Sequence, residues 1–180
     1  MKQILSLLSL CVILSCCAGQ GSHTQSPAIK ETEIDKQIIR TESGWKAYKE
    51  HIDSIFMTAH DAYAYHLQAQ YYCARMSFDK AKAYADTSIT LAMASQDRET
   101  LCKAHWTKAN CFSFSSNTTG EIREWKAIID IGLQPYMNDA KERLAFCYWE
   151  LGEYQDALNV LPDSLSEEGK VLYNQIIEQQ

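Results

Sequence analysis

A four-residue pattern recurs along the chain at near-constant intervals. Ala69 and Tyr72, Ala109 and Phe112, and Ala145 and Tyr148 each form Ala-x-x-aromatic, starting forty and then thirty-six residues apart. Twelve residues after Ala69 comes Ala81, preceded by Phe78, and twelve after Ala145 comes Ala157, preceded by Tyr154. Residues three apart share one face of a helix. The alanines are small where two antiparallel helices cross closely, and the aromatics are large where a unit packs on itself and its neighbour. Gly152, between Tyr148 and Tyr154, permits a left-handed turn between two helices. A period of this length, carried on helical spacing, predicts repeated helical units that bury their apolar faces by stacking on one another.

The units are unequal. Ala127 trails Ala109 by eighteen residues instead of twelve, and the polar stretch Ser113–Gly120 predicts a longer turn in the second unit. Met76 and Ser77 stand where the first unit would carry a turn glycine. From Glu31 onward there is no useful strand alternation, and Pro135 and Pro162 sit where helices should stop. The spacing predicts helices over 32–56, 58–75, 78–93, 98–114, 120–132, 136–150 and 153–161, with a break or bend at Gly44. A last helix over 165–178, opened by Ser166 with Glu167 and Glu168 in its first turn, is expected to cap the stack.

The pattern resembles the tetratricopeptide repeat across about residues 58–162, most fully in the third unit. The resemblance implies an all-α fold: an α-solenoid of about three helix–turn–helix units with flanking and capping helices, filling residues 31–180. It also implies a concave groove lined by the first helix of each pair. Its residues would be Tyr63, His66 and Gln70, then Lys103, Trp106 and Asn110, then Glu142, Phe146 and Trp149. Aromatic residues of this kind anchor interfaces. The groove lacks the run of lysine and asparagine that grips a terminal carboxylate in chaperone-binding members of the family.

The N-terminus carries a different signal. Lys2 precedes an uncharged, mostly apolar run from Ile4 to Ser15, too short for a permanent membrane span. Val12-Ile13-Leu14-Ser15-Cys16 resembles the lipobox of bacterial lipoproteins. That likeness implies a signal peptide over 1–15, lipidation at Cys16 (alternatively Cys17), and a flexible tether over 16–30. No acidic cluster follows the cysteine, which favours the periplasmic face of the outer membrane.

The formal charge of −6 gives no electrostatic footprint for nucleic acid or for anionic lipid headgroups, so membrane attachment is expected to come from the acyl chains. Cys73, Cys102, Cys111 and Cys147 lie within predicted helices, where thiols serve more often as small apolar residues than as disulfides or zinc ligands. No catalytic or phosphate-binding motif occurs, and no metal or cofactor is expected. His60 and His66 point to different helical faces, and single histidines such as His51 and His105 read as partly exposed. Cys102 and His105 share a face as a weak nucleophile pair, and Asn117-Thr118-Thr119 reads as loop composition.

These features lead to a lipid-anchored, non-catalytic envelope scaffold that binds a protein or peptide partner. Two rivals are a glycan-binding envelope lipoprotein and the sensor module of a signalling system.

Overall fold

The computed structural model describes residues 42–179. The signal peptide, Cys16 and Cys17, the tether and the first ten residues of the helix expected over 32–56 lie outside the described residues. Within them the chain is all-α, with eight helices and no strand. These are α1 (Glu42–Ala59), α2 (Ala62–Ala74), α3 (Phe78–Ser95), α4 (Arg98–Phe114), α5 (Thr118–Ile131), α6 (Tyr136–Glu150), α7 (Tyr154–Val160) and α8 (Glu167–Ile177).

The described residues divide into two units, 42–54 and 55–179. Gly44 lies inside α1, so the expected break does not occur there; a single helical glycine costs only about 1 kcal/mol. In the first unit, Trp45 and Tyr48 meet edge to face at 6.4 Å, and Lys49 pairs with Asp53 one turn on. In the second unit each helix from α2 to α8 packs on the next, and α2 also packs on α4.

Four helix starts are written in capping residues. Asp61 accepts from the Ala64 amide at 2.8 Å, Asp97 from Thr100 at 3.0 Å and Ser166 from Gly169 at 3.0 Å. Asn117 does the same for Gly120 at 2.9 Å, so Asn117-Thr118-Thr119 opens α5 instead of extending a loop.

Three turns, α2–α3, α4–α5 and α6–α7, are equivalent bond by bond. Met76, Ser116 and Gly152 all adopt the left-handed conformation, with φ of 56°, 56° and 77°. In each turn the following amide reaches back to the aromatic carbonyl. Ser77 bonds Tyr72 at 2.8 Å, Asn117 bonds Phe112 at 2.9 Å, and Glu153 bonds Tyr148 at 2.9 Å. The helices after them begin alike, with amide bonds of 3.0 Å from Ala81 to Ser77, from Glu121 to Asn117, and from Ala157 to Glu153.

This equivalence corrects the second unit. Its turn is no longer than the others, because α4 continues to Phe114 and α5 begins at Thr118. The residue twelve after Ala109 is Glu121, and Ala127 lies further along α5. Glu121 fills a crossing position held elsewhere by the fully buried Ala81 and Ala157. Its carboxylate accepts from Trp125 Nε1 at 3.1 Å, and burial raises its pKa.

The core follows the small-residue pattern. Ala69, Ala81, Ala109, Ala145 and Ala157 have no exposed surface. One cluster, built on Trp125, Ile128 and Leu144, joins α4, α5 and α6. A second joins Ala145 and Ala157 to Leu172 and Ile176 of α8, with Tyr148 and Tyr154 packed against it. The α2–α3 hairpin is tied by Ser88 on α3, whose hydroxyl donates to the Ala62 carbonyl at 2.7 Å inside the core.

Candidate partner-binding surface

The nine residues expected to line a groove fall into three groups. Tyr63, His66 and Lys103 come together across α2 and α4. The Lys103 ammonium stands 5.9 Å from the Tyr63 ring centroid, close enough for cation–π attraction, and Tyr63 lies 6.3 Å from the His66 ring. Lys103 also pairs with Glu99 at 2.8 Å. Tyr63, Gln70 and Lys103 are partly exposed.

His66 and Asn110 are buried, at 2% and 5% exposure, so neither presents a polar edge to solvent. This departs from the reading of His66 as an open groove residue. Burial first, and then the charge of Lys103, lower the His66 pKa to about 3, leaving the ring neutral at pH 7. Its Nδ1 has no hydrogen-bond partner among the described residues. Trp106 is half-buried and stacks edge to face on the buried Trp125 at 4.8 Å, serving the α4–α5–α6 core.

Glu142, Phe146 and Trp149 belong to the C-terminal contact. Phe146 and Trp149 lie 5.5 Å apart and pack against the cluster that contains Leu172 and Ile176. Both oxygens of Glu142 are occupied by Ser166, so its charge is spent at the start of α8. The three residues still share one helical face, but α8 engages that face.

A polar constellation on α3, α4 and α5 escaped sequence reasoning. Glu124 is 2% exposed and is held by three cations or potential cations. His105 Nδ1 lies 2.8 Å from one oxygen, while Lys108 at 3.3 Å and Arg123 at 2.8 Å share the other. Lys108 also reaches Asp86 on α3 at 2.6 Å. Burial opposes ionisation of Glu124, but the His105 and Arg123 hydrogen bonds and the Lys108 charge outweigh it, holding its pKa at about 2. The weak Cys102–His105 pair dissolves in this arrangement: His105 turns to Glu124, and burial pushes the Cys102 thiol up to about 11.

A further surface feature surrounds Phe112. Lys82 and Arg123 each stand 5.4 Å from its ring centroid, and its ring lies against Gly120, where an added Cβ would come within 2.7 Å. Among the described residues no cluster of three or more His, Cys, Asp or Glu is placed to hold a metal ion. No helix among them is long and apolar enough to cross a membrane. Comparison of the chain with protein-family models, with curated proteins and with solved structures finds no match.

Proposed function

We propose that this chain is a lipid-anchored, non-catalytic scaffold whose three hairpins stack as a short solenoid of tetratricopeptide type. Its partner is a protein or extended peptide of the cell envelope, held along α2 and α4. The observation that carries this reading is the joint surface of Tyr63 and Lys103, contributed by the first helices of two successive units with equivalent turns. An aromatic face beside a cation and the Gln70 amide suits an extended segment. The ring would bury an apolar side chain, while the polar groups would bond the partner's backbone.

Because α8 engages Phe146 and Trp149, the binding face is centred on the first two units instead of running through all three. The anchor rests on the Ser15-Cys16 junction, with Cys17 as its alternative, and places the scaffold at the periplasmic side of the outer membrane.

Affinity purification of the full-length protein from detergent-solubilised envelope, beside Tyr63→Ala and Lys103→Glu variants, tests the surface. One partner should be recovered with the unaltered chain and lost with either variant while the helical content is kept. Equal recovery with both variants would reject this surface. Intact-mass analysis of the mature N-terminus tests the anchor, since an unacylated Cys16 and Cys17 would remove it.

A further inference from the structure

Cys73, Cys102, Cys111 and Cys147 are all buried free thiols, but their surroundings differ. Cys102 and Cys147 pack in the cluster around Trp125 and Leu144, where burial and then the Glu121 charge push the Cys147 thiol up. Cys73 on α2 and Cys111 on α4 instead share a small cluster with Ala81, closed by Tyr72, Phe78 and Phe114. Across this directly packed helix pair the Cys73 thiol reaches α4, donating to the Thr107 carbonyl at 4.0 Å, one turn before Cys111.

Thirty-eight positions separate them in the sequence, so the pair exists only because the first two units stack. Phe78 belongs both to the wall of this cluster and to the lining of a surface hollow of about 380 Å³ formed with Met76, Asp79, Lys80, Lys82 and Ser115. The thiols therefore sit one side chain beneath an open depression.

We propose that Cys73 and Cys111 are a redox pair which, in the presence of a disulfide oxidant, closes into a bond stapling α2 to α4. The oxidant is a small-molecule disulfide or a thiol–disulfide oxidoreductase of an oxidising compartment. The Cys111 thiolate attacks one sulfur of that disulfide, forming a mixed disulfide and releasing one thiol. The Cys73 sulfur, giving up its proton to solvent, then displaces the second thiol and forms the Cys73–Cys111 bond. Two protein thiols are oxidised and one disulfide is reduced to two thiols. The neighbouring Cys73 thiol, and after it the Lys82 charge, lower the Cys111 pKa against the opposing effect of burial, in keeping with a first attack from Cys111.

The staple would lie between the two helices that carry Tyr63 and Lys103, but its chemistry does not depend on any partner. Trypsin separates the cysteines cleanly: Cys73 falls in the peptide 50–75, Cys102 in 99–103, Cys111 in 109–123 and Cys147 in 144–170. The full-length chain is reduced, refolded in mixed oxidised and reduced glutathione, alkylated and digested.

The expected result is that most 50–75 and 109–123 peptide appears as one linked species, split by dithiothreitol, while peptide 99–103 stays alkylated. The oxidised protein should also melt several degrees above the reduced one, a difference that Cys111→Ser abolishes. Recovery of 50–75 and 109–123 as separate alkylated peptides would overturn the proposal, as would linkage of Cys73 to any other cysteine.

Discussion

The carboxylate of Glu142 on α6 accepts two hydrogen bonds from Ser166 at the start of α8, from its backbone amide at 2.7 Å and from its hydroxyl at 2.5 Å. Ser166 in turn accepts from the Gly169 amide, so one acidic side chain organises the first turn of the last helix. A Cβ on Gly169 would lie 2.5 Å from the Glu142 carboxylate; the glycine is what lets the two approach. The negative charge also meets the positive end of the α8 dipole.

Glu142→Ala should therefore loosen α8 and destabilise the fold by about 1–2 kcal/mol, the range for a lost cap with charge-assisted bonds. Hydrogen exchange should quicken over residues 167–177 and stay unchanged in α2 and α3. Unchanged exchange in α8 would mean that its docking depends on Leu172 and Ile176 alone.

The equivalent turns make a prediction of opposite signs at equivalent positions. Gly152 has φ of 77° and nothing within 4 Å of an added Cβ, so Gly152→Ala meets only backbone strain and should cost about 1 kcal/mol. Met76 and Ser116 hold the same left-handed conformation with a side chain attached. Met76→Gly and Ser116→Gly should each stabilise by several tenths of a kcal/mol or more. Urea titration of the three variants checks this, and a loss of stability at Met76→Gly would contradict the equivalence.

Acid should unfold this protein through His66. The buried ring stays neutral with a pKa of about 3, whereas in the unfolded chain its pKa is about 6.5. Below the unfolded value the unfolded state binds a proton that the folded state refuses. The stability held above pH 6.5 is thus lost steadily as pH falls toward 3. At pH 5 the loss attributable to His66 is on the order of 2 kcal/mol. His66→Gln should flatten the stability–pH curve between pH 6.5 and 5, whatever its effect at neutral pH.

Glu124 titrates in a lower window. Its folded pKa of about 2 lies below the ordinary carboxylate value, so its contribution is present above about pH 4.5 and fades as pH falls toward 2. Glu124→Gln keeps the shape but leaves His105, Lys108 and Arg123 without their shared anion, which should cost about 3 kcal/mol at pH 7. Thermal melts at pH 7 and pH 3 should show the variant's deficit shrinking in acid.

The all-α class was legible because alanine and aromatic residues three apart mark helix crossings, and those alanines are all fully buried. The second unit was misread for a related reason. Its crossing position holds Glu121, whose carboxylate is satisfied by Trp125, and a search for alanine steps past it to Ala127. Its polar stretch Ser113–Gly120 reads as a long turn, but Asn117 caps a helix that begins at Thr118, and Ser116, like Met76, takes the left-handed conformation. The Glu124 cluster was invisible because His105 and Glu124 are nineteen residues apart on different helices and meet only after α4 packs on α5. Of the expected groove, the clustering of Tyr63 with Lys103 follows from helix spacing. The cover that α8 gives Phe146 and Trp149 could not be read from the repeat itself.

Photo-crosslinking in living cells tests the proposed binding face most directly. A photoreactive residue is placed at Tyr63 or Gln70 on α2, or at Met93 on α3, which is 64% exposed and remote in sequence from the proposed surface. The expected result is one and the same partner crosslinked from positions 63 and 70, lost on Lys103→Glu, and absent from position 93. Equal crosslinking from all three positions, or capture from position 93 alone, would contradict it.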